Sequence, residues 1–211
     1  MKKIIDVSRT ISNDSVVYPE DSKLGTQEVC SIGPDAPCNI TELEHWTTHF
    51  LTHVDPPLHF IKDGKSLDDI PLSRFLGRVK VIEISDDCNS ITKSEIENHN
   101  IETNDSIFFK TRNSNIDTEA PFDPNYVYLS KDGAEFLAEK KVNLVGIDYL
   151  GIDRYEDEEY PAHNCLLSSE IIILEGLCLK NVKEGTYNFI ALPLKIKNAN
   201  GSIVRAVLIE E

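Results

Sequence analysis

The chain has 211 residues, 40% hydrophobic and 27% charged, with a formal net charge of -15. One domain over residues 1–211 with a sizeable core is expected, and the acidic balance argues against nucleic acid or an anionic membrane as a partner, since both need a basic face. No apolar run approaches the roughly 20 residues of a membrane span. Asp6 and Arg9 interrupt the opening MKKIIDVSRT too early for a signal peptide. The five cysteines are odd in number and form no C-x-x-C pair, which suits free thiols in a reducing compartment. A cytoplasmic protein is therefore expected.

The segment KIIDVSR (3–9) predicts a first strand, and 19–38, rich in Pro, Asp, Asn and Ser, reads as loop. RVKVIEIS (78–85) alternates Val79, Val81 and Glu83 against Lys80, Ile82 and Ile84, as a strand does. TKSEIENH (92–99) pairs Thr92 with Glu95 three residues on, the signature of a capping box. SIFFKT (106–111) reads as a core strand and 112–125 as loop. SKDGAEFLAEKK (130–141) predicts a helix capped by Ser130, with lysines at the end that the macrodipole favours. VNLVGID (142–148) is a further core strand, and NCLLSSE (164–170) a short third helix. IIIL (171–174), TYNFIALPLKIK (186–197) and SIVRAVLIE (202–210) complete a β-rich α/β chain without regular βαβ alternation.

Chemistry concentrates in HFLTHVDPPLHF (49–60), which holds three of the six histidines. Pro56, Pro57 and the surrounding β-branched residues oppose a helix, so an extended segment is expected. Alternation then puts His49, Leu51, His53 and Asp55 on one side, and Pro-Pro turns His59 back towards them. Imidazole with carboxylate suits zinc, manganese, iron or nickel better than calcium or magnesium. His163 follows the acidic stretch DRYEDEEYPAH, and Glu175 ends an apolar run where a buried carboxylate would need a partner or a metal. A strand-end Glu pointing to water is the alternative. His45 reads as either a supporting donor or a surface residue, and His99 as a surface residue. Cys165, two residues after His163, reads as a packed thiol and not as a nucleophile. EDEE (156–159) reads as a solvated loop.

These residues resemble the metal-dependent cyclase/amidohydrolase family, which includes kynurenine formamidase and isatin hydrolase. The family pattern H-x-G-T-H-x-D-x-P-x-H reads here as His49, His53, Asp55 and His59. IIDVSRTIS with VVYPED, FFKTRNS, YLSKDGAEFLAEKKVNLVGIDYLGID, HNCLL with ILEGL, and IALPLKIKNANGSIVRAVL extend the likeness over nearly the whole chain. The resemblance implies a swivelling β/β/α fold, a homodimer or homotetramer, and one or two divalent ions, zinc or manganese. It implies that His49, His53 and Asp55 bind a first ion, and Asp55, His163 and Glu175 a second. His59 matches the catalytic base and acid. Tyr18 falls where kynurenine formamidases carry a substrate-contacting Trp. Leu51 replaces the family's Gly and is expected to narrow the site or demand another backbone path.

The implied activity is metal-assisted hydrolysis of an amide, formamide, lactam or lactone in a small molecule. Hydrolysis of another cyclic substrate remains open, as does a non-catalytic relative that binds metal or a small ligand.

Overall fold

A computed structural model describes residues 2–34 and 36–210. In chain order the strands are β1 (Ile4–Asp6), β2 (Gly25–Cys30), β3 (Ile40–Glu44), β4 (His53–Asp55), β5 (Leu76–Glu83), β6 (Ser90–Ile91) and β7 (Ser106–Lys110). They continue as β8 (Tyr128–Leu129), β9 (Leu144–Ile147), β10 (Ile172–Glu175), β11 (Gly185–Ile190), β12 (Ser202–Ile203) and β13 (Val207–Ile209). The α-helices are α1 (Lys93–Ile96), α2 (Lys131–Lys140) and α3 (Pro161–Ser168). Nine strands form one mixed sheet, curled into a half-barrel, in the order β1-β13-β11-β5-β7-β9-β10-β4-β12. Its centre, β5-β7-β9-β10, is parallel and its flanks are antiparallel. This is the expected strand-rich α/β architecture.

Period-two alternation sorts the side chains into two cores. Val79, Val81, Phe108, Leu144, Ile172 and Leu174 face the inside of the curl. Ile82, Ile107, Phe109, Val145, Ile147 and Ile173 face the other way, onto Phe136 and Leu137 of α2 and Leu166 and Leu167 of α3. The same alternation sends Val54 of β4 inwards. His53 and Asp55 therefore point to the helical side, where Glu175 also points. The functional cluster thus sits at the carboxyl end of β10, under α3.

A buried polar hub steadies the neighbouring strand ends. Asp148, just past β9, accepts from the amides of Thr111 (2.7 Å) and Ser114 (3.1 Å) and from their hydroxyls (2.8 and 2.7 Å). Burial pushes its carboxyl up to about 6, against these four donors and nearby Arg9. Arg9 donates to the carbonyls of Asp148 and Ile116. This clamp explains the Thr-Arg-Asn-Ser turn after β7: a buried carboxylate without donors would be costly.

Some expectations shift. Of the run TYNFIALPLKIK only the first five residues are strand, within β11 (Gly185–Ile190); Pro193 cannot donate to a ladder, and Leu192, Leu194 and Ile196 stay exposed. SIVRAVLIE splits into β12 and β13, which pair with different strands. The 19–38 segment contains β2, half of an exposed hairpin with β3. Thr92 caps no amide with its side chain, so the capping box is not closed, and its hydroxyl meets Ser94 instead. Ser130 does cap α2, accepting from Gly133 at 3.3 Å. The third helix starts at Pro161, earlier than expected, and so includes His163.

Three non-glycine residues hold left-handed backbone near the site: Tyr160 (φ +44°), at the start of α3, and two others. Glu20 (φ +75°) is third in a turn in which the Asp21 amide donates to the Tyr18 carbonyl at 3.0 Å, with Pro19 second. That is the pattern of a type II turn, which favours Gly at this place. Leu51 (φ +50°) is the other. The left-handed conformation costs an ordinary residue about 1–2 kcal/mol, and Gly instead carries a chain-entropy cost of about 0.5–1 kcal/mol. Exposed Glu20→Gly should therefore stabilise the protein by about 0.5–1 kcal/mol. Leu51→Gly should destabilise it by about 2 kcal/mol or more, because its side chain is 2% exposed and packed. Urea unfolding of both variants checks this; shifts of the same sign would contradict it.

Candidate metal centre

β4 and β10 supply the floor of the site. Their antiparallel register sets Glu175 opposite His53 and Ile173 opposite Asp55. His53 Nδ1 lies 2.9 Å from the Leu51 carbonyl. A carbonyl only accepts, so Nδ1 carries the hydrogen and Nε2 faces the carboxylates. It lies 3.4 Å from Asp55 Oδ1 and 3.3 Å from Glu175 Oε2.

The expected extended segment 49–60 is strand only over His53–Asp55, and left-handed Leu51 breaks the alternation upstream. His49 nevertheless reaches the same carboxylate, its Nδ1 2.7 Å from Asp55 Oδ1. Gly201 makes room for this ring: a Cβ there would stand 2.6 Å from His49 Nε2. Pro56 and Pro57 lead into a single 3₁₀ turn, Pro57–His59, which brings His59 back as expected. The His59 ring stacks on His49, with centroids 3.9 Å apart and planes 22° apart, and meets His163 edge-on at 5.6 Å.

Of the two alternatives for Leu51, a narrowed site or another backbone path, the narrowed site is not seen. The Leu51 side chain turns into a cluster with Leu24, Phe50, Tyr126, Tyr149 and Leu150. Its carbonyl abuts Gly176, itself left-handed at φ +69°, where any Cβ would collide with that carbonyl. Gly176 directly follows Glu175, so this close approach fixes the carboxylate beside His53.

Helix α3 supplies His163. Its Nδ1 lies 2.6 Å from Asp153 Oδ2, and Asp153 also accepts from the amides of Ala162 (2.6 Å) and His163 (3.0 Å). One carboxylate thus caps the first turn of α3 and orients its imidazole. His163 Nε2 is left facing Glu175 Oε1 at 3.4 Å and Asp55 Oδ2 at 3.9 Å. Glu175 Oε1 takes the Ile152 amide at 2.7 Å. Of the two readings for Glu175, the buried and partnered one holds. Asp153 escaped the sequence reading: nothing distinguishes it from the acidic loop behind it until α3 folds back over it.

Burial alone would lower both His53 and His163. Asp55 and Glu175 instead hold His53 up at about 9, and Asp153 and Glu175 hold His163 up at about 10. Burial would raise Asp55 and Glu175, yet His53 with His49, and His163 with His53, keep these carboxyls low. His59 behaves differently. Burial brings it down to about 4; Asp55 works against this, and neighbouring His49 and His163 reinforce it. It is a neutral imidazole at neutral pH.

The donor set fits a divalent metal. His53, Asp55 and Glu175 bring ligand atoms within 4.8 Å of one another, as do His49, Asp55 and His59. His59 thus also stands where a ligand could, besides its expected role as base. His49 Nε2 and Asp55 Oδ2 are buried without a hydrogen-bond partner among the described residues, and buried polar atoms of this kind call for an ion or water. Nitrogen with carboxylate oxygen is the chemistry of zinc and manganese sites.

Above the floor opens a pocket of about 240 Å³, lined also by Tyr18, Asp21, Phe60, Tyr126, Leu150 and Tyr160. Tyr18 meets Phe122 and Tyr155 edge-on, and burial pushes its hydroxyl up to about 12. Phe60 stacks on His163 at 4.4 Å. His45 is exposed and His99 partly buried, and neither lines the pocket. Cys165 packs against the helical core, and burial pushes its thiol up, as a structural thiol requires. Glu156, Glu158 and Glu159 face solvent.

The putative cyclase family matches residues 5–154. Kynurenine formamidase of Bacillus anthracis is 34% identical over 206 residues, covering 98% of this chain and 97% of that protein. A solved structure described as a potential metal-dependent hydrolase with cyclase activity superposes with a TM-score of 0.88 at 32% identity, covering 100% of this chain and 99% of that one. An isatin hydrolase bound to the product analogue thioisatinate shares the fold, with a TM-score of 0.86 at 22% identity over 99% of this chain and 92% of that one. Sequence match and superposition span the strands and the helix that build the metal floor, and the chain belongs to the putative cyclase family.

Proposed function

We propose that this metal-dependent hydrolase cleaves an amide, formamide, lactam or lactone bond in a small molecule, with His59 as general base and acid. One observation carries the reading: a neutral imidazole stands in a pocket whose floor gathers His49, His53, His163, Asp55 and Glu175. The kynurenine formamidase relatives make an aryl formamide the first substrate to try. Hydrolysis of another cyclic substrate is the nearest rival. Leu51, the departure from the family pattern, does not line the pocket and so gives no support to a non-catalytic reading.

His49, His53 and Asp55 would hold a first ion, and Asp55, His163 and Glu175 a second, zinc or manganese. Such an ion, when bound, acidifies water and polarises the carbonyl under attack. The side chains do the rest. Low-lying His59 is unprotonated at neutral pH, so it can take the proton of the attacking water and return it to the leaving nitrogen or oxygen. Tyr18 and Phe60 flank the substrate and shed water from the site. Asp153 holds His163 in its tautomer.

The hairpin β2–β3 supports a homodimer or homotetramer. A two-stranded ribbon is marginal alone in water, and this one exposes Val29, Ile40 and Leu43, with Trp46 just beyond. One domain over 1–211, a cytoplasmic location, and no nucleic-acid or membrane partner complete the proposal. Among the described residues no helix is long and apolar enough to cross a membrane.

Elemental analysis after reconstitution should find zinc or manganese in the protein. His59→Ala should lower kcat about 10²–10⁴-fold with metal content unchanged. Loss of metal instead would make His59 a ligand, and unchanged turnover would remove it as base. Asp153→Asn should weaken metal binding about 10–100-fold, read by competition with a chelator.

The metal-free protein should also respond to pH in a definite direction. His53 and His163 are raised from 6.5 to about 9 and about 10. Their stabilisation is fully present below 6.5 and is lost as pH rises through 9 to 10. Metal ligation needs neutral imidazole, so metal affinity should rise with pH over the same window. Thermal melts with chelator should fall between pH 7 and 10 while the gap to the metal-loaded protein widens; a flat metal-free profile would refute this assignment.

A further inference from the structure

We infer that Thr52 is a positioning residue for the metal floor: its hydroxyl ties the turn after Glu175 to the turn before His53, and so sets the spacing of these two side chains. The inference rests on the metal reading of the same site. The ladder between β4 and β10 ends at the pair His53 and Glu175, and the same register would next set Thr52 against Gly176. Leu51 (φ +50°) and Gly176 (φ +69°) are left-handed there, a backbone shape that leaves the strand. A side chain supplies the next rung instead. Thr52 Oγ1 donates to the Gly176 carbonyl at 2.7 Å and accepts from the Arg9 amide at 2.8 Å. A carbonyl only accepts and an amide only donates, so both roles of the hydroxyl are fixed. The Thr52 carbonyl takes the Val204 amide at 3.0 Å, and the Gly176 amide donates to the Tyr149 carbonyl at 2.7 Å. Thr52 is 2% exposed and does not line the pocket.

Thr52 directly precedes His53, and Gly176 directly follows Glu175. The hydroxyl therefore closes a short ring that runs through both residues, with His53 Nε2 and Glu175 Oε2 facing each other at 3.3 Å. Removing the hydroxyl would take this partner from a buried carbonyl and a buried amide at once. Each would have to move to regain a hydrogen bond, because an unmet polar group at that depth is costly. The strand ends would part, and the Glu175 carboxylate would shift with them. Its bond from the Ile152 amide, 2.7 Å to Oε1, makes that amide a reporter of the shift. A metal holds its ligands at narrowly defined distances, so a small parting should register as lost affinity.

The test compares wild type with Thr52→Val, which keeps the shape and removes the hydroxyl, and Thr52→Ser, which keeps the hydroxyl. Ser106→Ala serves as the control. Ser106 is also buried, and its hydroxyl takes a bond from Asn143 at 2.9 Å at the start of β7, level with Ile172 and not with Glu175. Zinc affinity is read by competition with a chelator, and amide exchange at Ile152 is read in the metal-free protein. Thr52→Val should bind zinc about tenfold more weakly and exchange the Ile152 amide about tenfold faster. Thr52→Ser should restore both, and Ser106→Ala should lose melting temperature while leaving both near wild type. Should Thr52→Val fail to fold, Thr52→Cys, of similar size and only a weak donor, takes its place with the same expectations. Unchanged zinc affinity and Ile152 exchange in the variant without the hydroxyl overturn the inference. So does an equal loss in Ser106→Ala, or a loss that Thr52→Ser does not restore. If wild type binds no zinc, the metal reading fails, and exchange at Ile152 alone decides the role of Thr52.

Discussion

The antiparallel pairing of β4 with β10 is the constraint on which the site depends. It sets a histidine and two carboxylates within a few ångströms, nearly out of reach of water. Two anions so close and so buried are tolerable only with compensating charge. In the metal-free protein that charge comes from protons on His53 and His163; in the loaded enzyme it comes from the metal. The surroundings follow from this need. Asp153 orients the second imidazole, Gly176 lets β10 approach the Leu51 carbonyl, and Gly201 leaves space for His49.

The core strands and α2 are legible in the sequence because hydrophobic periodicity and a capping serine are local signals. The candidate metal residues stand out in the sequence for another reason: imidazoles and a carboxylate at fixed spacing have few uses apart from a metal. Their geometry was less legible. Alternation along 49–55 groups His49, His53 and Asp55, although the backbone brings these side chains together through a left-handed residue and not an unbroken strand. Asp153 was hidden because its role depends on α3 folding back across it. Hairpin β2–β3 was hidden because its sequence is polar and punctuated, and its strands pair only with each other. The apolar run after Ile190 misled for the opposite reason: it reads as a strand, but Pro193 denies it a ladder.

Leu51 departs from the family pattern without entering the lining of the pocket. The position asks for a left-handed backbone, and leucine adopts it at some cost in strain. Burial of its side chain among Leu24, Tyr126 and Tyr149 offsets that strain. The pocket walls are built by other residues, Tyr18, Asp21, Phe60 and Tyr160 among them.

The position of the only tryptophan has a practical consequence. Trp46 is 45% exposed, belongs to neither main core, and borders a groove of about 580 Å³ shared with Arg9, Ile11, Leu194 and Arg205. Its fluorescence will therefore follow the polarity of that groove. Emission will be a poor gauge of core melting and a direct one of whatever covers the hairpin, so spectroscopic unfolding curves for this protein should be read alongside circular dichroism.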